Sequence, residues 1–302
     1  MTVDAEPSPG PAGRGEPAVR RPLATYRLQL NARFTFDDAR RLVPYLADLG
    51  ISDVYASPYL MARAGSLHGY DIVDHGALNP ELGSEAHYEA FVAALRAHGM
   101  GQILDVVPNH MGIAEGQNRW WNDVLENGPG SAYADFFDID WEPVKREIEN
   151  RVLLPILGDQ YGRVLENQEL TLELLDGGFR LRYYGAVLPI APQSATEILG
   201  YRLEALTTTL GEAHPDLQEY QSILTGLRHL PGRTETAPDR VRERARETDV
   251  LRRRLSRLLE ASEPVRASLE ETVGVFNGKR GDPRSFDLLH RLLDGQAYRL
   301  AH

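Results

Sequence analysis

The stretch Gly101-Gln102-Ile103-Leu104-Asp105-Val106-Val107-Pro108-Asn109-His110 decides how this chain is read. An apolar run from Ile103 to Val107 has strand character and enters a proline. A carboxylate, an amide and an imidazole cluster at its carboxyl end. In parallel α/β proteins that end carries the sites, because the strands hold loops that stay free to vary. A second cluster, His68-Gly69-Tyr70-Asp71 with Asp74 and His75, follows an earlier strand at the equivalent place. Two such clusters, each after its own strand, predict one shared pocket.

The elements upstream set these clusters in order. Leu23 to Leu30 alternates like a strand. Thr35 can cap a helix whose first turn holds Asp37 and Asp38, with Leu42, Leu46 and Leu49 at helical spacing and Gly50 as the stop. Pro44 predicts a kink in that helix or a later start. Ile51 to Ala56 is the next strand, closed by Ser57-Pro58, and a Gly/Ser-containing loop carries the second cluster. Ser84 caps another helix with a core stripe of Tyr88, Phe91, Val92 and Leu95, ending at Gly99. Gly101 to Val107 is the third strand. The order β-α-β-α-β implies parallel pairing, in either a (β/α) barrel or a doubly wound sheet. No GxGxxG follows the first strand, so dinucleotide binding is unsupported.

After His110 the alternation stops. Trp120, Trp121, Phe136, Phe137 and Trp141 make an aromatic segment interrupted by Gly128-Pro129-Gly130. Arg163 to Glu166, Leu170 to Leu175 and Phe179 to Tyr184 read as short strands, with Asp176-Gly177-Gly178 as a hairpin turn between the last two. From about Thr196 the pattern is helical and charged. Asp239 to Glu263 sets Val241, Val250, Leu251, Leu255, Leu258 and Leu259 among Arg and Glu, as an amphipathic helix pair would. The expected division is a disordered tail over 1–22, three barrel strands over 23–112, and an inserted mixed α+β subdomain over 113–300. In that subdomain short antiparallel strands at about 163–184 precede charged helices.

Composition narrows the function. The 302 residues are 42% hydrophobic and 25% charged, which is ordinary globular composition. A net charge of -11 argues against nucleic acid or an anionic membrane as partner. The absence of cysteine excludes disulfides, cysteine metal sites and thiol catalysis, and fits a cytoplasmic location. No apolar run approaches a membrane span, and the start of the chain lacks the apolar core of a signal peptide.

Each candidate residue has two readings. His110 is either a core histidine or a ligand contact, and its place after a strand end and Pro-Asn favours contact. Asp105 sits in an apolar strand, where a carboxylate needs a partner, so an ion pair that positions its neighbours is preferred over direct chemistry. Asn109 either holds its loop or ligates a hard cation, although one oxygen cannot define such a site. Tyr70 is either packing or a platform for a sugar ring. Asp71 ranks above Asp74 for a site role. Trp120 and Trp121 read as core, and Arg252-Arg253-Arg254 as a solvated helix face.

DVVPNH, and HGYD followed by Asp74, resemble the signature regions of the alpha-amylase superfamily of glycoside hydrolases and transglycosylases. ATYRLQL, FTFDDARRLVPYLADLGISDVYASP, NPELG, FFDIDW, GDQYGRVLENQEL, LPIAP and GQAYRLAH extend the resemblance, from Leu23 to His302, to the maltooligosyltrehalose synthase family. The resemblance implies an incomplete (β/α)8 TIM barrel. It implies an isomerase that moves the reducing-end α-1,4 bond of a maltooligosaccharide to α,α-1,1 by a retaining mechanism with two carboxyls about 5–5.5 Å apart. His110 and Tyr70 would hold the sugar beside the cleaved bond, and His68 and Asp71 are expected to bind substrate with them. Asp105 would brace a cation of the fourth-strand motif, and Asn109 would support the loop. No segment matches the nucleophile or acid/base motifs, so catalytic residues are expected beyond His302 and the chain alone is expected to be inactive. No metal or cofactor is expected. The expected partners are maltooligosaccharide and the remaining part of the same enzyme. The alternatives are a hydrolase or glucosyltransferase of the same superfamily, or a non-catalytic glucan-binding module.

Overall fold

The computed structural model describes residues 21–302, so the expectation for the N-terminal tail lies outside them except at Arg21 and Pro22. They belong to two compact units, one ending at Met111 and one spanning Gly112–His302.

In the first unit β1 (Thr25–Leu28) leads to α1 (Phe36–Asp48) and β2 (Asp53–Ala56). A hairpin of β3 (Leu60–Ala62) and β4 (Ile72–Leu78) follows, then α2 (Glu85–Ala97) and β5 (Gly101–Leu104). β1, β2 and β5 make a parallel sheet in that order. The register sets Arg27, Tyr55 and Ile103 side by side, and because side chains alternate along a strand, Leu28, Ala56 and Leu104 share the opposite face. Leu28, Val54 and Ala56 pack with Phe36, Val43, Leu46 and Phe91 of the two helices in one buried cluster. The polar face is therefore the one turned away from the helices.

Three local expectations change here. α1 runs through Pro44 without a later start. Thr35 and Asp38 form a reciprocal capping box that fixes its first turn, and four buried residues hold its inner face, which outweighs one missing backbone hydrogen bond. The segment expected as a loop after Ser57-Pro58 is the β3–β4 hairpin, with His68 to Asp71 between its arms. The third strand ends at Leu104, so Asp105 lies one residue beyond it rather than inside it.

The second unit contains α3 (Arg119–Asn127), β6 (Val152–Pro155), α4 (Tyr161–Glu166), β7 (Leu170–Leu175), β8 (Gly178–Tyr183) and β9 (Ala186–Pro189). Then come α5 (Ala195–Tyr201), α6 (Leu203–Leu210), α7 (Pro215–Arg228), α8 (Pro238–Ala261), α9 (Glu263–Phe276), α10 (Asp287–Asp294) and β10 (Tyr298–Ala301). β7, β8 and β9 form an antiparallel sheet, and β6 pairs in parallel with β10. Along β8 Phe179, Leu181 and Tyr183 are buried while Arg180 and Arg182 are exposed, the alternation of a half-covered sheet. Tyr298 is fully buried, and its hydroxyl donates to the Pro189 carbonyl at 3.0 Å, tying β10 to β9. Among the described residues no helix is long and apolar enough to cross a membrane.

Arg163 to Glu166 is helical, not a strand. Val164 and Leu165 are adjacent and both buried, which a strand, pointing them to opposite faces, would achieve only between two layers. The arginine run is only partly a solvated face. Arg253 is exposed beside Asp249, but Arg252 reaches Glu126 of α3 and Arg254 grips Glu219 of α7 through two nitrogens. Trp121 is buried as expected, whereas Trp120 is half-buried and stacks on Tyr133 at 5.6 Å.

The turn between β7 and β8 is the Asp176-Gly177 pair, both at positive φ (51° and 70°), as a tight two-residue hairpin requires. A Cβ on Gly177 would lie 2.1 Å from the Arg252 carbonyl oxygen. Gly177→Ala is therefore expected to destabilise the chain by about 2–4 kcal/mol, read as a fall in the midpoint of chemical denaturation. An unchanged midpoint would show that α8 does not press on this turn.

Candidate functional site

The site is built on the polar face of the first sheet. Asp105 leaves the end of β5, and its Oδ2 collects donors from three other segments. Arg27 of β1 donates from Nη1 at 3.0 Å, the Tyr55 hydroxyl of β2 at 3.1 Å, and the Tyr70 hydroxyl of the hairpin at 2.5 Å. Arg27 Nη2 also donates to the Tyr70 hydroxyl at 2.8 Å, and its guanidinium lies over the Tyr55 ring, 4.4 Å from the centroid. Tyr70 is thus held at its hydroxyl by an acceptor and a donor together. The Tyr70 hydroxyl and the Arg27 guanidinium keep the Asp105 carboxyl below the ordinary carboxylate range, and the same carboxylate raises the Tyr70 phenol and the Arg27 guanidinium above theirs.

The loop around Tyr70 is equally fixed. Gly69 has φ 76°, and a Cβ there would approach the Pro58 carbonyl oxygen at 3.1 Å, so the glycine of HGYD answers both a left-handed backbone and a close neighbour. His68 Nδ1 accepts from the Tyr70 amide at 3.0 Å, which leaves that nitrogen without a proton and makes Nε2 the donor. The Asp71 carboxylate, 3.9 Å from the same nitrogen, therefore does not pair with it. Asp71 instead takes the Ser66 hydroxyl at 2.5 Å and lies 3.4 Å from Arg63 Nε. Rings of His68 and Tyr70 stack at 6.0 Å.

His110 enters through a backbone contact, its Nε2 donating to the Tyr70 carbonyl at 3.1 Å, which in the neutral ring leaves Nδ1 as the acceptor. His75 ties the hairpin to the same loop through Val107 O at 3.0 Å. The structure thus brings His110, Tyr70, His68 and Asp105 together. Asp71 holds the loop from within, and Asn109 is exposed outside this network. Among the described residues no group of three His, Cys, Asp or Glu is placed to hold a metal.

Arg27 and Tyr55 escaped the sequence reading. The cation that Asp105 braces is Arg27, within this chain, and not only one expected from a later strand. The signal was present in ATYRLQL, where Leu28 and Leu30 are buried and Arg27 falls on the other face, but alternation does not say what stands opposite.

The depressed Asp105 carboxyl carries a pH signature. Its folded value lies below its unfolded value, so its contribution to stability is present above the ordinary carboxylate range and is lost as pH falls through the folded value. The stability gap between wild type and Asp105→Asn, measured by chemical denaturation over a pH series, should be widest near neutrality and close in acid. Arg27→Met should raise the Asp105 carboxyl in a carbon-detected NMR titration, and an unmoved titration would remove Arg27 from the network.

With this geometry in place, the likeness to known proteins becomes specific. The family described as alpha amylase, catalytic domain, matches residues 40–163. The putative maltooligosyl trehalose synthase of Mycobacterium tuberculosis is 41% identical over 213 residues, covering 68% of this chain and 24% of that protein. The intracellular maltogenic amylase of Bacillus subtilis is 38% identical over 100 residues, 33% of this chain and 16% of that one. Among solved structures, maltooligosyltrehalose synthase from Arthrobacter ramosus superposes with a TM-score of 0.51 at 41% identity, over 57% of this chain and 22% of that chain. A glycosyltrehalose synthase, DSM5389, gives 0.52 at 38% identity, over 59% and 23%. The chain spans about a quarter of the length of these synthases. The chain is thus similar to part of the maltooligosyl trehalose synthases, residues 40–163 match an alpha-amylase catalytic domain, and the fold is of a partial (β/α) barrel type.

Proposed function

We propose that this chain is the N-terminal, sugar-holding part of an intramolecular transglucosylase that converts the reducing-end α-1,4 bond of maltooligosaccharides to an α,α-1,1 bond. The observation that carries this reading is the clamped Tyr70 ring. Its hydroxyl is held by Arg27 and Asp105, and its carbonyl holds His110. A ring fixed before the ligand arrives loses little freedom on binding, and its face suits the C–H face of a glucose unit. His110 Nδ1 and His68 Nε2 then supply an acceptor and a donor for hydroxyl groups. His110 and Tyr70 grip the sugar, Asp71 and His68 shape the loop, Asp105 braces, and Asn109 supports the turn.

Asp105 is not the nucleophile in this proposal. One of its oxygens already receives three hydrogen bonds, which stabilise the charge but blunt its nucleophilicity. The retaining mechanism needs a nucleophile and an acid/base carboxyl, and both belong to a segment that completes the barrel. The partner that fits is the rest of the same enzyme. β5 pairs only with β2 among the described residues, and beside it Leu104 and Val106 are 47% and 65% exposed. An open apolar edge of this kind invites another strand. The second unit, 112–302, is then a subdomain carried after the third barrel strand.

Titration of the full chain with maltopentaose, followed by calorimetry, tests the holding role. His110→Ala and Tyr70→Ala are expected to weaken binding at least about tenfold, or 1.4 kcal/mol. Incubation with maltopentaose should leave the number of reducing ends unchanged. Turnover by the chain alone would overturn the division of labour, and equal affinity in both variants would overturn the holding role.

A further inference from the structure

A cleft within the second unit has features that the proposed barrel site does not use. It runs along α3 and the outward face of the β7–β8–β9 sheet. One end is a polar pocket of about 330 Å³, and the other a mainly apolar pocket of about 440 Å³, both of a size ordinary for small ligands. Gly116, Asn122 and Val187 line both, so the two ends meet at Asn122.

The polar end is built from opposed charges. Glu126 of α3 receives Arg252 Nη2 at 2.8 Å, and Arg180 of β8 lines the same wall. Burial raises the Glu126 carboxyl, while Arg252 and Arg180 pull it back. At the junction, Asn122 donates from Nδ2 to the Gly116 carbonyl, but its buried Oδ1 meets no donor within the protein. A buried amide oxygen without a partner is costly, which makes it a place for a ligand O–H or N–H.

The apolar end offers rings. Tyr184 stands in the two-residue turn between β8 and β9, 70% exposed, with φ 47°, an uncommon conformation for a tyrosine. Its hydroxyl donates to Glu169 Oε2 at 3.1 Å, and its ring meets the Tyr183 ring at 4.8 Å, so its position is fixed.

The two ends together specify a chemistry. An anion would meet Glu126 and Asp176, and a cation would meet Arg180 and Arg252. What fits is a neutral molecule that both donates and accepts hydrogen bonds at one end and shows an apolar C–H face at the other. We propose that this cleft is a second carbohydrate site, taking a short neutral sugar chain with its hydroxyls on Asn122, Glu126 and Arg180 and a ring face on Tyr184. The proposal rests on the cleft alone and not on the roles given to Tyr70 and His110.

The test uses the full chain with maltotriose as probe, in a His110→Ala background that disables the first site. Maltotriose is expected still to bind there, measured by calorimetry and by movement of the Asn122 side-chain amide in nitrogen-resolved NMR. Adding Arg180→Met or Tyr184→Asn should weaken that binding at least about tenfold. Asn accepts positive φ readily, so Tyr184→Asn removes the ring without adding backbone strain, and an unchanged melting temperature confirms the fold. Sulfate should not compete. Binding that vanishes with His110→Ala alone overturns the second site while leaving the first standing. Affinity unchanged by both added variants, or displacement of maltotriose by sulfate, also overturns it.

Discussion

One carboxylate oxygen organises the first unit. Asp105 Oδ2 takes hydrogen bonds from Arg27, Tyr55 and Tyr70, which come from β1, β2 and the β3–β4 hairpin. Four segments separated along the chain meet at a single atom. A hydrogen bond with an ionised partner is roughly twice as strong as a neutral one, and three on one oxygen make the arrangement hard to shift piecemeal. The sheet register makes this possible. Arg27 stands opposite Tyr55, Tyr55 opposite Ile103, and Asp105 is two residues beyond Ile103 on the same face. The buried cluster beneath the sheet, from Phe36 and Leu46 to Phe91, fixes the strands that fix the register. Burial on one face thus decides which polar groups meet on the other.

The second unit rests on a different constraint, pairing between ends that are far apart in the chain. β6 and β10 lie side by side with Tyr298 opposite Val152, and Tyr298 reaches the last residue of β9 through its hydroxyl. Around them the helices are joined by arginines rather than by surface charge pairs alone. Arg252 reaches α3, Arg254 reaches α7, and Arg244 is buried with its guanidinium on the carbonyls of Gly130 and Gly232. A planar guanidinium with five N–H groups can satisfy several carbonyls in one place, which lysine cannot.

The readable parts of the sequence were those governed by local rules. Thr35 and Ser84 cap their helices, Gly50 and Gly99 follow them, and Asp176-Gly177 makes its hairpin, because each depends only on neighbours a few residues away. The clusters at Tyr70 and His110 were legible because strand ends concentrate polar residues, and the structure brings them within one hydrogen bond of each other. What was missed depends on distance. Arg27 lies 78 positions from Asp105, and β10 pairs with a strand at Val152, contacts that no periodicity contains. The short stretch Arg163 to Glu166 failed for another reason. In so few residues a helical turn and a strand give the same apolar pattern, and only the surroundings choose.

The two tyrosines that face the proposed sugar sites are held in the same way. Tyr70 is tethered through its hydroxyl to Asp105, and Tyr184 through its hydroxyl to Glu169. In each case a carboxylate anchors the polar tip of the ring, so stacking on it costs little further loss of motion. The tethers differ in strength. Tyr70 has a second bond from Arg27, and its carboxylate is shared with Tyr55, whereas Tyr184 is exposed and has one. Because Arg27, Tyr55 and Tyr70 all meet Oδ2, any further cation that approaches Asp105 from a completing strand must use Oδ1 or displace Arg27. Displacing Arg27 would also remove a donor from the Tyr70 hydroxyl. Under the proposed function the sugar-holding ring would then loosen, so that reading requires Arg27 to stay in place and any further cation to take the other oxygen of the carboxylate.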